Sequence, residues 1–173
     1  MTDPTKIDID IDIHEVDWDD PFTRTMSGIT NHGHMHFRMP VISHITGNLY
    51  QGGCENGLVL PEVIKNVVSL YPWENYTIKH QTNSTTFIRM YDSLDQSFEQ
   101  VEGIAQWVKT LCEDAPTLVH CQAGLNRSSL IAGRTLMLMG YTAEAAIDEL
   151  RLKRSPACLC NWAFEEYLRG LDG

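Results

Sequence analysis

The sequence predicts a single α/β domain in which helices flank a central, mostly parallel sheet. Short apolar runs typical of buried strands alternate along the chain with longer segments whose apolar residues recur at helical spacing. Residues 117–129 add a further sign, because they pass from an apolar run through a glycine-containing loop into an apolar helix. In parallel sheets such a loop lies at the carboxyl end of a strand, where these folds bind ligands. At 173 residues, 43% of them hydrophobic, the chain can bury one sizeable core.

Residues 1–40 differ from the rest and are predicted to be an N-terminal extension of a domain formed by residues 41–173. Four isoleucines in this extension alternate with polar residues: Ile7, Ile9, Ile11 and Ile13. This period of two fits an edge strand and fits a partly ordered acidic arm equally well. A third interpretation is an autoinhibitory tail whose carboxylates mimic phosphate.

Three alternating histidines, His32, His34 and His36, follow in the same extension. On a strand they would face one way and could ligate a metal ion. Because no acidic or cysteine partner follows at a typical spacing, a polar loop or an exposed strand face is the favoured interpretation. No metal site is predicted.

The first half of the domain is predicted to hold four short strands and one helix. The helix is expected at residues 58–66, where Pro61 is compatible with the first turn. Pro72 would stop the third strand, a β-branched run typical of a buried parallel strand. The strands are expected at residues 41–45, 48–51, 67–71 and 85–91, with a turn at Gly47 between the first two.

The second half is predicted to hold one strand, around Leu118, and four helices. Ser97 and Gln100 form a capping-box sequence ahead of the first helix, which should end near Cys112. The second helix, at residues 130–139, is apolar nearly all round, which fits a helix buried on most sides. One glycine stop and two capping residues mark the remaining helix ends: Gly140, Thr142 and Asn161.

The net charge of −10 is concentrated at the N-terminus, where residues 1–20 hold eight acidic residues and one lysine. No basic stripe is present, so no nucleic-acid or anionic-membrane partner is expected. No apolar run approaches the length of a membrane span. The acidic N-terminus does not fit a secretory or transit signal. Five cysteines at irregular spacing do not suggest a disulfide framework, so a cytoplasmic, reducing location is expected. The sequence does not determine the oligomeric state, and a monomer is favoured.

Residues 117–129 carry the chemistry. Cys121, at a strand end, would face a helix N-terminus whose unpaired N–H groups and dipole favour negative charge. Its thiolate could attack phosphorus, while backbone N–H groups of residues 122–127 and the planar Arg127 fork hold the phosphoryl oxygens. Ser128 could donate a hydrogen bond to the sulfur and help it leave, and His120 is interpreted as a structural donor. This pattern suits phosphoryl transfer to sulfur.

The pattern H-C-x-x-G-x-x-R-S resembles the signature loop of cysteine-dependent protein tyrosine phosphatases, and its context resembles their dual-specificity branch. Residues 45–53 are similar to the first strand of that branch and residues 145–168 to its two closing helices. The resemblance covers roughly residues 42–171 and implies no cofactor. Its phosphate-binding residues would be Gln122, Ala123, Gly124, Leu125, Asn126 and Arg127, where Asn126 replaces a serine common in the branch.

The second catalytic group is sought among the aspartates upstream of Cys121. In the dual-specificity branch the general acid is an aspartate about thirty residues before the nucleophile. Asp92 lies 29 residues before Cys121 and Asp95 lies 26 before it. Asp92 matches better and is the favoured acid, and its carboxylate would later activate water. Either residue could instead be a turn-forming or helix-capping aspartate.

The resemblance implies a protein phosphatase that acts through a cysteinyl-phosphate intermediate. Neither a Trp-Pro-Asp loop nor a dedicated phosphotyrosine-binding loop is visible, so a shallow pocket is expected, with Leu125 in its lining. Such a pocket would admit phosphotyrosine, phosphoserine and phosphothreonine of a phosphoprotein substrate. Two alternatives stay open: an RNA 5′-triphosphatase, since related enzymes share the loop and often have Asn before the Arg, and a phosphopeptide-binding module without turnover.

Overall fold

The architecture was analysed in a computed structural model that describes residues 19–93 and 96–172. The strands are β1 Thr25–Ile29, β2 His36–Pro40, β3 Ile42–Thr46, β4 Leu49–Gly52, β5 Asn66–Ser69, β6 Ser84–Phe87 and β7 Thr117–His120. The helices are α1 Phe98–Asp114, α2 Arg127–Leu138, α3 Ala143–Lys153 and α4 Trp162–Gly170. None of the helices in this part of the chain is long and apolar enough to cross a membrane.

Five strands form the central sheet, in the order β3-β4-β7-β5-β6. β3 is antiparallel to β4, and the other three pairings are parallel. The predicted mostly parallel α/β sheet is therefore confirmed. β7 lies in the middle with all four residues buried, so the residue that follows it, Cys121, sits at the centre of the sheet's carboxyl edge.

Alternate residues of the central strand pack in two separate hydrophobic cores, as expected for side chains that point to opposite faces of the sheet. Val119 joins the larger core, which α1, α2, α3 and α4 cover. Leu118 joins the smaller core on the other face, where it packs with Val41, Ile42 and Tyr76. The central strand is thus covered on both faces, and its carboxyl end is held firmly in place.

Local capping signals located the helix starts well. The Ser97 side chain accepts a hydrogen bond from the backbone N–H of Gln100, at the start of α1. The reciprocal half of the capping box is not formed, because the Gln100 side chain accepts from Gln96 and donates to the Arg89 carbonyl. Thr142 and Asn161 cap α3 and α4 through their side chains, as predicted.

The helix predicted at residues 58–66 is wrong. Leu58 and Leu60 are both buried and exchange backbone hydrogen bonds with Thr77, so this segment is extended there. Their spacing of two residues suits an extended chain, and Ile64 fills the same small core after a turn at Pro61. Apolar burial against the sheet overrides the weak helical spacing of this stretch.

A two-stranded antiparallel hairpin, β1-β2, stands apart from the central sheet. Backbone bonds from Val41 to Arg24 and from Ile42 to Pro21 tie it to β3, and Met39 reaches the larger core. His32 and His34 lie in its connecting turn and His36 begins β2. The described residues include no cluster of three or more His, Cys, Asp or Glu that could hold a metal ion. The alternating isoleucines lie outside the described residues.

Candidate active site

Cys121 lies at the bottom of a cavity, with 2% of its surface exposed. Its Sγ accepts a hydrogen bond from the backbone N–H of Gly124 at 3.2 Å and lies 3.5 Å from Ser128 Oγ. α2 begins at Arg127, so its N-terminal end adjoins the sulfur. The signature loop, residues 120–128, therefore surrounds the thiol with donors that favour a negative charge.

The signature loop is braced from beneath by Arg154, which is almost fully buried. Its guanidinium donates to the carbonyls of Gly124 at 2.7 Å and Ala123 at 2.9 Å. Its third nitrogen donates to the Pro40 carbonyl at 2.9 Å and to Ser43 Oγ at 3.0 Å. Burial lowers the pKa of Arg154 from its ordinary value, yet an arginine stays charged in proteins. A fixed cation thus sits under the loop.

Gln51 and the loop glycine supply the rest of this support. The Gln51 amide nitrogen lies 3.1 Å from the Gly124 carbonyl oxygen, 3.1 Å from Ser128 Oγ and 2.6 Å from Ser129 Oγ, so these three acceptors share its two N–H donors. Gly124 has φ +75°, and a Cβ there would lie 2.4 Å from the carbonyl carbon of Gly52. Only glycine fits this position without moving the backbone of β4.

His120 lies behind the cavity and contacts the backbone of the signature loop. Its Nδ1 is 3.3 Å from the Cys121 carbonyl oxygen, and its ring meets Tyr76 edge-on. Burial lowers the pKa of His120 to about 4. The imidazole is therefore neutral at pH 7, and the contact to Cys121 requires the Nδ1–H tautomer.

Asp92 is held against the signature loop by two amide groups. Asn126 donates to its Oδ2 at 3.1 Å, and Asn161 donates to its Oδ1 at 3.0 Å. Asn126 in turn accepts from the Asn161 backbone N–H at 2.8 Å. The residue that departs from the branch's usual serine thus touches the favoured acid. Asp95 lies outside the described residues.

The turn of the hairpin reaches the same carboxylate from the other side. His32 Nε2 lies 3.4 Å from Asp92 Oδ1. The sequence predicts His32 in a polar loop or on an exposed strand face and gives no sign of this contact, since sixty residues separate the two side chains.

The signature loop, Asp92 and the hairpin together line a cavity of about 150 Å³. The hairpin supplies one wall through Ile29, Thr30, Asn31 and Phe37. Seven of the predicted site residues line the remainder: Asp92, Cys121, Gln122, Ala123, Leu125, Asn126 and Arg127. Gly124, Ser128 and His120 do not line it and lie behind the thiol.

Arg127 presents its guanidinium to the cavity over the ring of Tyr71, with 5.0 Å between the guanidinium carbon and the ring centroid. Its Nε is buried and has no hydrogen-bond partner among the described residues. A buried cationic donor without a partner is costly, unless an anion binds beside it. The arrangement can therefore hold a tetrahedral anion above Cys121.

Besides His32, three site residues make contacts that the sequence did not predict: Arg154, Gln51 and Asn161. Asn161 was predicted only as a helix cap, a role it also fills. Arg154 and Gln51 lie 30 and 73 residues from Gly124 along the chain. Both lie in segments that resemble the dual-specificity branch, residues 45–53 and 145–168, but no local signal there predicts a contact with the signature loop.

A sequence model described as the tyrosine phosphatase family matches residues 21–154, most of the chain. The chain belongs to the tyrosine phosphatase family. The predicted resemblance to cysteine-dependent phosphatases is thereby confirmed. This member is also 32% identical over 110 residues to a probable dual specificity protein phosphatase H1 homolog of fowlpox virus. The match spans 60% of the length of each protein.

Solved structures of phosphatases share the fold of this family member. A putative dual specificity phosphatase of mouse, complexed with zinc tungstate, superposes with a TM-score of 0.62 at 16% identity, covering 76% of this chain and 88% of the other. A human tyrosine phosphatase-like serine/threonine/tyrosine-interacting protein gives 0.63 at 15% identity, covering 76% and 95%. Tk-PTP in its active form gives 0.62 at 25% identity, covering 77% and 97%.

Proposed function

We propose that this protein hydrolyses phosphotyrosine and phosphoserine or phosphothreonine esters of phosphoproteins through a cysteinyl-phosphate intermediate. The observation that carries the proposal is the position of Asp92, whose carboxylate two asparagines hold beside the cavity that Cys121 and Arg127 line. A nucleophile, a phosphate-binding cation and a proton donor would then act on one ester group.

In the first step, the Cys121 thiolate attacks phosphorus. A sulfur–phosphorus bond forms as the bond between phosphorus and the ester oxygen breaks, and Asp92 gives its proton to the leaving oxygen. The backbone N–H groups of residues 122–127 and the Arg127 fork stabilise the charge spread over the three remaining oxygens. Leu125 and Ala123 contribute to the apolar part of the lining, together with Ile29 and Phe37 of the hairpin.

In the second step, the Asp92 carboxylate takes a proton from water. The water oxygen attacks phosphorus, the sulfur–phosphorus bond breaks, and inorganic phosphate leaves. Ser128, 3.5 Å from the sulfur, donates a hydrogen bond to the departing thiolate. His120 and Gln51 keep the loop in shape and take no part in proton transfer.

We further propose residues 41–173 as the catalytic domain and residues 1–40 as an extension whose hairpin adds a wall to the cavity. A reducing, cytoplasmic setting fits this mechanism, because oxidation of the thiolate would stop it. A monomer is proposed as well. An acidic chain of net charge −10 gives no support to RNA as a substrate.

The proposal is tested by hydrolysis of p-nitrophenyl phosphate and of a phosphotyrosine peptide, in EDTA and a thiol reductant. Turnover is expected for the wild type and should vanish in Cys121→Ser. Asp92→Asn should lower kcat on the peptide by roughly 10²–10⁴-fold, because its leaving group needs a proton. The loss on p-nitrophenyl phosphate should be smaller, since p-nitrophenolate leaves without one.

Two control variants keep this test specific. Cys112→Ser changes a buried thiol on α1, away from the cavity, and should retain turnover. Asp114→Asn removes a surface carboxylate that contacts Asn83 and should do the same. A wild type that binds vanadate and phosphopeptide without turning over would overturn the enzyme proposal in favour of a phosphopeptide-binding module.

A further inference from the structure

Next to the cavity lies an exposed ledge formed by Trp73, Arg89 and Tyr91, called here the Arg89 ledge. The Arg89 guanidinium carbon is 4.9 Å from the centroid of the Trp73 ring and 4.9 Å from that of the Tyr91 ring. Both aromatic side chains remain open to solvent, Trp73 at 54% and Tyr91 at 52% exposure. Two large rings left exposed around one cation mark this surface as unusual.

Stacking orders the guanidinium without using its hydrogen bonds. Cation–π contacts engage the flat faces of a guanidinium, while its N–H donors point outward in the plane. No carboxylate among residues 19–93 and 96–172 forms an ion pair with Arg89. The ledge therefore presents an ordered cation whose N–H donors have no carboxylate partner among the described residues, and that geometry suits a carboxylate or a phosphate.

A chain of ring contacts connects the ledge to the cavity. Arg127 lies 5.0 Å from the Tyr71 ring, and the Tyr71 and Trp73 rings lie 5.0 Å apart. On the other side, Tyr91 directly precedes Asp92, which lines the cavity. Three contacts of about 5 Å thus separate the two arginines, and an extended peptide advances about 3.3 Å per residue.

The excess of acidic residues in this protein gives Arg89 a possible role in the choice of substrate. The protein carries 23 acidic residues against 13 lysines and arginines. Most of this excess lies in residues 1–20, and residues 21–173 hold 15 acidic residues against 12 lysines and arginines. An acidic side chain of a substrate would be attracted at Arg89, so a single contact can set a sequence preference.

We propose that the Arg89 ledge is a substrate subsite that binds an anionic side chain two to four residues from the phosphorylated residue. The anion is a carboxylate or a second phosphate, held by Arg89 while Trp73 and Tyr91 pack against the neighbouring peptide. This inference rests on the proposed phosphatase function and names a class of substrate for it, acidic or doubly phosphorylated segments.

The test uses one phosphotyrosine peptide with Glu, Gln or phosphoserine placed in turn at each position up to four residues from the phosphotyrosine. For wild type, kcat/KM should be roughly three- to fivefold higher with Glu than with Gln at the best position, the range of a half-exposed ion pair. The effect should appear in KM and weaken with salt. Comparison of Glu with phosphoserine identifies the preferred anion.

Arg89→Gln should abolish the preference and leave hydrolysis of the Gln peptide and of p-nitrophenyl phosphate unchanged. Arg169→Gln is the matched control, since it removes the same charge from the far end of α4 and should keep the preference. An equal loss on both peptides in Arg89→Gln, or the same result in Arg169→Gln, would overturn the subsite.

Hydrolysis of p-nitrophenyl phosphate separates failure of the subsite from failure of the proposed function. If wild type hydrolyses this small substrate but shows no preference among the peptides, only the subsite is wrong. If wild type shows no turnover at all, the same Glu and Gln peptides are compared by calorimetric titration of wild type and Arg89→Gln. Equal binding of the two peptides to wild type would then refute the subsite.

Discussion

Gly124 occupies a conformation and a space that exclude every side chain. Its φ of +75° is in the left-handed region, and an added Cβ would meet the Gly52 backbone at 2.4 Å. Gly124→Ala is expected to lower the free energy of unfolding by about 2–4 kcal/mol, from backbone strain and overpacking together. Because the thiol's hydrogen bond comes from the same residue, catalytic turnover should fall as well.

Gly140 provides the matched comparison. Its φ is +109°, but no atom lies within 4 Å of the position a Cβ would take. Gly140→Ala should therefore cost only about 1–2 kcal/mol of strain and leave turnover unchanged. Denaturant unfolding and steady-state assays of both variants measure the difference, and equal effects would contradict the steric explanation.

His120 should make the protein less stable as the solution becomes acidic. Burial lowers its pKa to about 4 in the folded protein, against about 6.5 in an unfolded chain. Between these values the unfolded chain binds a proton that the folded protein refuses, so stability falls as pH drops from about 6.5 to 4, by up to roughly 3 kcal/mol. His120→Asn, which keeps a side-chain N–H donor, should flatten this part of the pH profile in urea unfolding.

The thiols are expected to differ sharply in reactivity. Burial raises the pKa of Cys54 to about 12 and that of Cys112 to about 11, and it also raises the pKa of Cys158. Iodoacetamide at pH 7 should therefore modify these three thiols slowly. Cys121 is expected to react first, because the backbone N–H of Gly124 and the N-terminus of α2 stabilise its thiolate, and inorganic phosphate should slow this phase. Mass spectrometry of the alkylated peptides checks the order. Loss of the fast phase in Cys160→Ser rather than Cys121→Ser would contradict it.

At the scale of elements, the end of α3 stabilises the loop that follows β7. Arg154, at the C-cap of α3, donates to the carbonyls of Gly124, Ala123 and Pro40. Arg154→Met removes the buried cation and its hydrogen bonds to three carbonyls, of which the Gly124 carbonyl keeps Gln51 as a donor. Unfolding free energy is expected to fall by about 3 kcal/mol and kcat to fall with it.

Arg151→Met is the control on the same helix. Arg151 is half-buried, pairs with Glu165 at 3.0 Å and donates to the Cys158 carbonyl at 3.1 Å, and none of these bonds is to the signature loop itself. Its loss should cost about 1 kcal/mol and leave kcat unchanged. If both variants keep full turnover, the bracing role of Arg154 in catalysis is refuted even where its contribution to stability holds.

Elements with a local signal were predictable, and those set by distant contacts were not. The caps Ser97, Thr142 and Asn161 fix their helices through bonds that span two or three residues. The segment around Leu58 and Leu60 was mistaken for a helix because its hydrogen-bond partner, Thr77, is distant in sequence. Within the site, spacing placed Asp92 among the candidates, while Arg154 and Gln51 needed the three-dimensional fold. The catalytic roles of Asp92 and Cys121 stay predictions.

At the scale of the whole molecule, the cavity closes between the central domain and the β1-β2 hairpin. The hairpin is mostly exposed, and its sheet is separate from the central one. Its amides should therefore exchange with solvent through local opening, far faster than those of the fully buried β7. Hydrogen exchange monitored by mass spectrometry measures both.

Ligand binding should couple to this opening, because Thr30 and Asn31 form part of the cavity wall. If opening abolishes binding, vanadate at ten times its Kd should slow exchange of the hairpin amides about tenfold. Amides of α3 provide the internal control and should not change. Unchanged exchange in the hairpin would show that this wall contributes nothing to holding the anion.

The bracing of the signature loop by Arg154 also has a consequence for synthesis. Arg154 follows Gly124 by 30 residues, and it bridges that loop to Pro40, 114 residues earlier. During translation Cys121 is made before Arg154, which orders the signature loop, so the thiol of a nascent chain at first lacks the ordered loop around it. The site is therefore completed late, when the ribosome has added the end of α3 and it can dock on a strand made long before.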